Sequence, residues 1–156
     1  MTSGLTIRQA GAEDMAEVAR LMQAYKVSLG LGIFDNPGQK ADEVLPGPYA
    51  DRGAGILLAA QDGRALGVVA FKGIAPGVSE MKRMYVAPEG RGLGAGRALA
   101  LAVMQAAREA GHTRMVLDTL ASLTVARSLY ESLGFALIPR YNDNPVEGVV
   151  FYGCDL

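Results

Sequence analysis

Four glycines fall within residues 90–96, between an apolar stretch that ends near Val86 and a long run with helical periodicity. Glycine lets the backbone turn tightly and places no Cβ between the main chain and a ligand. The first N–H groups of a helix have no intrahelical acceptor, and the helix dipole adds partial positive charge there. A glycine-rich loop at the start of a helix therefore predicts an anion site suited to phosphate.

Three kinds of phosphate loop can be compared with this spacing. A Walker-type loop requires Gly-Lys-Ser/Thr, which the segment lacks. A dinucleotide fingerprint requires Gly-x-Gly-x-x-Gly at a first strand-to-helix turn, but Arg97 stands where the last glycine is needed and the segment lies mid-chain. The third pattern, Arg-x-x-Gly-x-Gly, is matched in full by Arg91, Gly92, Leu93, Gly94, Ala95 and Gly96. A tight turn without a ligand is the remaining interpretation, and four glycines beside an arginine argue against it.

The third pattern resembles the acetyl-CoA loop of the GCN5-related N-acetyltransferases, the GNAT superfamily, in which this loop holds the pyrophosphate. Residues 126–135, Ala-Arg-Ser-Leu-Tyr-Glu-Ser-Leu-Gly-Phe, resemble the family's Ala-x-x-Leu-Tyr-x-x-x-Gly-Phe segment. Residues 80–86, Glu-Met-Lys-Arg-Met-Tyr-Val, resemble its fourth strand. The resemblance runs from Leu5 to the end of the chain and is weakest over residues 30–55.

The resemblance implies a set of residues that bind acetyl-CoA. Around the pyrophosphate these would be Arg91, Gly92, Leu93, Gly94, Ala95, Gly96 and Arg97. In the family the fourth strand carries a bulge and diverges from the fifth, and pantetheine pairs with main-chain groups in the gap as an added strand. Met84 and Val86 correspond to the residues whose backbone holds pantetheine and the acetyl carbonyl. A fixed N–H at Val86 would stabilise negative charge developing on that carbonyl.

Tyr130 corresponds to the family's tyrosine that lies near the coenzyme A sulfur and is often the general acid. A thiolate leaving group benefits from a proton donor, which a tyrosine hydroxyl can supply. A tyrosine on an amphipathic helix is otherwise an ordinary core or boundary residue, but the glycine loop upstream favours the functional interpretation. The resemblance therefore places Tyr130 in both catalysis and cofactor binding.

Glu80 corresponds to a glutamate that is the general base in several members of the family, acting directly or through water. The chemistry needs a base because an alkylammonium must lose a proton before it can attack a thioester. Strand alternation places Glu80 and Lys82 on one face, so a surface ion pair with Lys82 or Arg83 is the alternative. Both interpretations stay open on the sequence.

Two further polar positions have weaker signals. Asp118 follows a short apolar segment and could face the acceptor cleft or satisfy a turn. Residues 141–145, Tyr-Asn-Asp-Asn-Pro, could shape the acceptor pocket, but this composition is typical of a turn, which we favour.

Composition and charge exclude several classes of protein. The chain has 156 residues, half of them hydrophobic, which predicts one domain over residues 1–156. A formal net charge of −1 argues against a strongly basic nucleic-acid binder. No apolar run reaches the roughly 18 residues of a membrane span, and residues 1–4 do not resemble a signal peptide. One cysteine and one histidine favour a cytoplasmic compartment and make a zinc site improbable.

The charges are unevenly distributed along the chain. Residues 82–114 hold six basic and two acidic side chains, a net charge of +4, so the remainder carries −5. A basic half for coenzyme A phosphates and an acidic half for a cationic amine would have this distribution. Random clustering is the alternative explanation at these counts.

The hydrophobic patterning predicts alternating strands and helices that position these residues. We expect strands at residues 5–8, 56–60, 65–71, 78–86, 115–117, 135–138 and 149–152. We expect helices at residues 12–25, 94–109 and 122–133, and a short helix near 39–45. Asp62-Gly63 predicts a hairpin turn. This is an α/β (α+β) domain. The resemblance implies the GNAT fold, a mixed and mostly antiparallel sheet of about seven strands flanked by about four helices.

Together these observations predict an N-acetyltransferase that moves an acetyl group from acetyl-CoA to a primary amine of a small molecule or peptide by direct attack. Acetyl-CoA is the expected co-substrate, and no metal, nucleic acid or membrane is expected to take part. Many members of the family pair through sheet edges, so a homodimer is a further expectation. The alternative is a non-catalytic acyl-CoA-binding sensor or interaction module.

Overall fold

The structure is a computed structural model that describes residues 4–30 and 44–156. Its centre is one seven-stranded sheet in the order β1-β2-β3-β4-β5-β7-β6. The strands are β1 (Thr6–Gln9), β2 (Gly55–Gln61), β3 (Arg64–Ala75), β4 (Val78–Val86), β5 (Arg114–Leu120), β6 (Ala136–Leu137) and β7 (Val149–Asp155). All neighbouring strands run antiparallel except β4 and β5, which are parallel. The predicted mixed, mostly antiparallel sheet is therefore confirmed.

Three α-helices accompany the sheet in the described part of the chain: α1 (Met15–Leu29), α2 (Ala95–Glu109) and α3 (Thr124–Ser132). The expectation of about four helices is wrong for these residues. The fourth was the short helix near 39–45, which lies mostly outside the described residues. From residue 44 onward the chain forms bends and then a 3-10 turn at Gly47–Ala50. An α-helix is disfavoured here because Pro46 and Pro48 lack the N–H groups that it needs. No helix in the two described ranges is both long and apolar enough to cross a membrane.

Apolar side chains pack on both faces of the sheet. On one face α1 contributes Val18 and Leu21, which pack with Leu58 of β2. On the other face α2 contributes Leu99 and Val103, spaced as one side of a helix requires. Because both faces are covered, the central strands read as continuous apolar runs rather than as alternating ones.

The middle of β4 is irregular, and this irregularity opens the sheet. Val68 pairs with Tyr85 and Ala70 pairs with Lys82, so two residues of β4 lie opposite the single residue between them on β3. This is a β-bulge, and Arg83 within it has a left-handed φ of 59°. Beyond the bulge β4 no longer pairs with β5, because their parallel ladder is confined to Val78–Glu80. The bulge and the divergence that the resemblance implies are both present.

Candidate active site

The glycine loop connects β4 to α2 and is open to solvent on one side. Gly92 and Gly94 have φ values of 82° and 77°, a left-handed conformation that favours glycine. A Cβ added to either would have no atom within 4 Å. The first hydrogen bond of α2 runs from Ala98 N to Gly94 O, so the N–H groups of the first helical turn have no acceptor within the helix. This arrangement suits an anion beside the loop.

Gly90 has a different role from the glycines that follow it. A Cβ on Gly90 would lie 2.9 Å from the Leu66 Cβ and 3.1 Å from Val86 Cγ1, so only glycine allows this approach to β3. Three residues before Gly90, the Ala87 N–H donates to Leu66 O at 2.8 Å. The base of the loop is therefore packed against β3 while Gly92 and Gly94 face open space.

The remaining loop residues supply charge and main-chain groups. Arg91 and Arg97 are both exposed. Arg91 Nε donates to Val86 O at 3.4 Å, and Arg97 Nη1 donates to Ser132 Oγ at 3.3 Å. Leu93 is exposed, whereas the Ala95 side chain lies in the core and can contribute only its backbone. Open glycines, free helical N–H groups and two guanidinium groups fit the pyrophosphate of coenzyme A.

The edge of β4 that faces the gap presents main-chain groups at two positions. Successive N–H groups along a strand point to opposite sides. Because the Ala87 N–H points to β3, the Val86 N–H points away from β3, toward the gap, and Met84 shares that direction. The two residues assigned by the resemblance are thus those whose backbone faces the opening.

A cleft of about 60 Å³ lies where β4 and β5 diverge. Five segments of the chain meet at its walls, represented by Tyr25 of α1, Met84 of β4, Asp118 of β5, Tyr130 of α3 and Asn144 of the segment before β7. Asp118 belongs to β5 itself rather than to a turn after it. The cleft combines one carboxylate, two phenols, the basic residues Lys82 and Arg83, and apolar side chains.

Tyr130 is held rigidly in the cleft wall. It is 5% exposed, and its ring packs edgewise against Phe135 at a centroid distance of 5.9 Å and lies 6.4 Å from Tyr152. Burial raises the pKa of the Tyr130 hydroxyl, and the neighbouring Tyr25 raises it further. The hydroxyl therefore keeps its proton at neutral pH and is available as a donor.

Tyr25 also lines the cleft, although the apolar spacing predicted it only as the last residue of the helix from residue 12 to 25. Its ring lies 5.6 Å from that of Tyr85, and burial is the main cause that raises its pKa to about 12. The charge of Arg83 lowers this pKa and that of Asp118 raises it. A tyrosine at the end of an apolar stripe has a polar tip that seeks a polar cleft, which was the available signal.

Glu80 lies in a buried polar network beside the cleft. Glu80 is 4% exposed. Its Oε2 accepts hydrogen bonds from the Tyr141 hydroxyl at 2.6 Å and from Asn142 Nδ2 at 3.4 Å. Lys82 Nζ lies 3.9 Å from Oε1, and both of these side chains are buried. The ion pair considered as an alternative is thus present, but in the interior rather than on the surface. Glu80 does not line the cleft described above, whereas Asp118 does.

The segment before β7 connects the two carboxylates. Asn142 Nδ2 and Asn144 Nδ2 donate to Asp118 Oδ2 at 2.8 and 3.2 Å, and Asn142 also reaches Glu80. The side-chain oxygens of both asparagines accept backbone N–H groups two residues on, as expected for a turn. The predicted turn is confirmed, but its amides also hold the acidic residues of the site. Within the described ranges, no three His, Cys, Asp or Glu side chains converge as a metal site.

Tyr141→Phe is expected to lower the free energy of unfolding by about 1.5–3 kcal/mol, the usual range for a hydrogen bond to a charged group. The variant removes a donor to the buried Glu80 carboxylate and keeps the ring contact with Phe151 at 5.2 Å. Urea unfolding measures the change. Tyr152→Phe is the matched control and should lose less stability, because its hydroxyl donates to the exposed Glu131 and accepts from the half-buried Arg127, and water can replace the hydroxyl at both partners. Equal stability of wild type and Tyr141→Phe would contradict the network.

Comparison with known proteins identifies the family. The model of the acetyltransferase (GNAT) family matches residues 18–135. An uncharacterized N-acetyltransferase of Schizosaccharomyces pombe is 40% identical over 146 residues, which cover 89% of this chain and 86% of the relative. An N-acetylaspartate synthetase of Xenopus tropicalis is 37% identical over 98 residues, which cover 62% of this chain and 36% of that protein.

A solved structure agrees with the fold. The structure of an acetyltransferase from Salmonella typhimurium with its cofactor acetyl-CoA superposes with a TM-score of 0.77, covering 97% of this chain and 94% of the other at 21% identity. At 21% identity this structure shows only that the two proteins share a fold. Membership of the family is shown by the family model and by the relative from Schizosaccharomyces pombe. The chain therefore belongs to the GNAT family and is an acetyl-CoA-dependent N-acetyltransferase.

Proposed function

We propose that the protein transfers the acetyl group of acetyl-CoA directly to a primary amine of a small molecule or peptide, without an acetylated enzyme. One observation carries this proposal. The gap between β4 and β5 places the open glycine loop and the cleft that contains Tyr130 and Asp118 along the same strand, β4. A phosphate-bearing donor and an amine can therefore approach one another from opposite ends of that gap.

The loop residues and the exposed edge of β4 are proposed to hold acetyl-CoA. The N–H groups at the start of α2 and the side chains of Arg91 and Arg97 would bind the pyrophosphate. Met84 and Val86 would pair with pantetheine through main-chain groups, as an added strand pairs with a sheet edge. Bound acetyl-CoA supplies an activated thioester, and the Val86 N–H would stabilise negative charge on its carbonyl oxygen.

Tyr130 and Glu80 are proposed to move the protons. Tyr130 would protonate the leaving thiolate, which its raised pKa supports. Glu80 would remove the proton of the incoming ammonium through a water that it orients. A water is needed because the Asn142 amide lies between the Glu80 carboxylate and Asp118, which lines the cleft. Asp118 lines the cleft and would attract the ammonium before that proton leaves.

Glu80→Gln and Asp118→Asn are expected to separate these two roles. Loss of a general base costs about 10²–10⁴ in rate, so Glu80→Gln should lower kcat near neutral pH, with partial recovery at alkaline pH where the free amine is already deprotonated. Asp118→Asn should mainly raise the KM for the amine. Steady-state kinetics between pH 6 and 10 measures both. A Glu80→Gln variant with the wild-type pH profile would remove Glu80 from the mechanism.

The overall proposal is tested by following thiol release from acetyl-CoA with a panel of amines. The panel includes polyamines, peptides with free N-termini, aminoglycosides and free amino acids. The amino acids belong in it because the Xenopus relative is named for an N-acetylated amino acid. Thiol release coupled to an N-acetylated product by mass spectrometry supports the proposal. Tight acetyl-CoA binding without turnover on the whole panel would overturn it and favour a sensor.

A further inference from the structure

Tyr152 is a buried tyrosine on β7 that the proposed mechanism does not use. The residue is 0% exposed, and it pairs with Leu117 of β5 on one side and with Leu137 of β6 on the other. It does not line the cleft described above. A phenylalanine would fill the same apolar space, so the hydroxyl requires a separate explanation.

The Tyr152 hydroxyl bonds to two side chains of opposite charge, both from α3. Arg127 Nε donates to it at 2.9 Å, and it donates to Glu131 Oε2 at 2.7 Å. Residues four positions apart lie on the same face of a helix, so both side chains reach one point of the sheet. The Arg127 guanidinium also lies 5.9 Å from the centre of the Tyr152 ring. We call these three side chains, Arg127, Tyr152 and Glu131, the hydroxyl clamp.

The hydroxyl clamp holds the helix that carries Tyr130. Among the nine residues of α3 as the structure describes them, only Tyr130 is buried, so apolar packing constrains the other turns of the helix less. Arg127 Nη1 also donates to Ala121 O at 3.0 Å, which ties the segment before the helix to the same group. Tyr152 is fixed in turn by pairing with a strand on each side. The position of α3 on the sheet therefore depends on the hydroxyl clamp as well as on Tyr130.

We propose that the hydroxyl clamp is a positioning device for catalysis, which sets the place of the Tyr130 hydroxyl at the gap between β4 and β5. The inference rests on the proposed role of Tyr130 as proton donor to the leaving thiolate. Glu131 directly follows Tyr130, and the rings of Tyr130 and Tyr152 lie 6.4 Å apart, so a shift of α3 at the clamp moves Tyr130 with it. A misplacement of about 1 Å can cost on the order of 100-fold in rate.

Tyr152→Phe keeps the buried ring and removes the hydroxyl of the clamp. We expect kcat for thiol release from acetyl-CoA to fall by about 10-fold, as for a catalytic group that is slightly misplaced. The KM for acetyl-CoA should stay near the wild-type value, because the base of the glycine loop is packed against β3 instead. Wild-type kcat in Tyr152→Phe would overturn the proposal.

A double variant shows whether the clamp acts through Tyr130. If it does, Tyr130→Phe/Tyr152→Phe should have the same kcat as Tyr130→Phe alone, because a hydroxyl that is absent cannot be misplaced. A general disturbance of the fold would instead multiply the two losses. Multiplied losses would therefore overturn the positioning role and leave Tyr152 as a structural residue.

Glu131→Gln and Glu131→Ala are a matched pair at an exposed position. Glutamine keeps an oxygen that can accept from Tyr152, so Glu131→Gln should retain the wild-type kcat, whereas Glu131→Ala should show part of the loss seen in Tyr152→Phe. Arg114→Gln is the control for a lost ion pair, because it removes the contact of Arg114 with Asp155 at 2.8 Å between β5 and β7. Its kcat should equal that of the wild type. Equal kcat in the two Glu131 variants would overturn the part of Glu131 in the clamp.

Hydrogen exchange of the α3 amides tests the clamp without any turnover. In Tyr152→Phe we expect faster exchange across Thr124–Ser132 and unchanged protection in β2 and β3. Unchanged exchange in α3 would overturn the clamp whatever the kinetics show. Wild-type turnover in Tyr130→Phe would overturn the positioning role and leave acetyl transfer intact. Absence of turnover by the wild type with every amine of the panel would overturn the proposed function and the positioning role together.

Discussion

Tyr130→Phe is expected to lower kcat by about 10²–10⁴, the range of general acid–base catalysis, with little change in the affinity for coenzyme A. The substitution removes one hydroxyl from the cleft wall. The ring contacts with Phe135 and Tyr152 remain, so the fold of α3 should be retained. The effect should therefore fall on the departure of the thiolate rather than on binding.

The direction of the pKa shift makes this prediction specific. Burial and the neighbouring Tyr25 both raise the pKa of Tyr130, so the hydroxyl stays protonated throughout the range in which the enzyme can be assayed. The wild-type rate should consequently show no alkaline decline from Tyr130 below about pH 10, the ordinary tyrosine value. An alkaline decline that disappears in Tyr130→Phe would contradict this account.

Stopped-flow or steady-state measurement of thiol release gives kcat, and calorimetry gives the coenzyme A affinity. Tyr49→Phe is a matched control, because Tyr49 is an equally buried tyrosine in the cluster on the opposite face of the sheet. Its turnover should equal that of the wild type. Unchanged turnover in Tyr130→Phe would remove this tyrosine from the mechanism.

Gly94→Val is expected to weaken coenzyme A binding on the order of 100-fold, from backbone strain and lost phosphate contacts together. Gly94 has a φ of 77°, which a β-branched residue adopts only with strain. No atom lies within 4 Å of a Cβ at this position, so the valine would not clash with the folded chain itself. Its side chain would occupy the open face of the loop, where the pyrophosphate is proposed to lie.

Gly63→Val separates these two causes. Gly63 has the same φ of 77° and the same open surroundings, but it lies in the hairpin turn between β2 and β3. Both variants should lose similar stability in thermal unfolding, whereas only Gly94→Val should lose coenzyme A in calorimetry. If Gly94→Val binds coenzyme A as tightly as Gly63→Val does, the pyrophosphate site has been assigned to the wrong loop.

The sequence alone predicted most of the elements and one end of the site. The strand over 78–86 has the predicted bounds, and the hairpin at Asp62-Gly63 forms with both residues at positive φ. The glycine loop was also recognisable, because the conformations that it requires depend on residues within a few positions of one another. Local signals of this kind survive folding since they arise from backbone sterics and from the unpaired N–H groups of a helix start.

The cleft and the polar network beside it could not be predicted in the same way. Tyr141 lies 61 positions from Glu80 along the chain, yet the two side chains are joined at 2.6 Å. Asn142 bonds to Asp118 from 24 positions away, and its segment was interpreted as a turn in preference to a part of the acceptor pocket. Such contacts follow from the order of the strands, which places β7 and the segment before it beside β5.

The sequence by itself thus determined a strand, a glycine loop and a helix start capable of holding phosphate. The tertiary structure decided what lies beside that loop. Pairing between β3 and β4 sets the bulge at Arg83, and the short ladder between β4 and β5 opens the gap. The physical reason is that register is a property of two strands together, and burial of a charge depends on every segment packed around it.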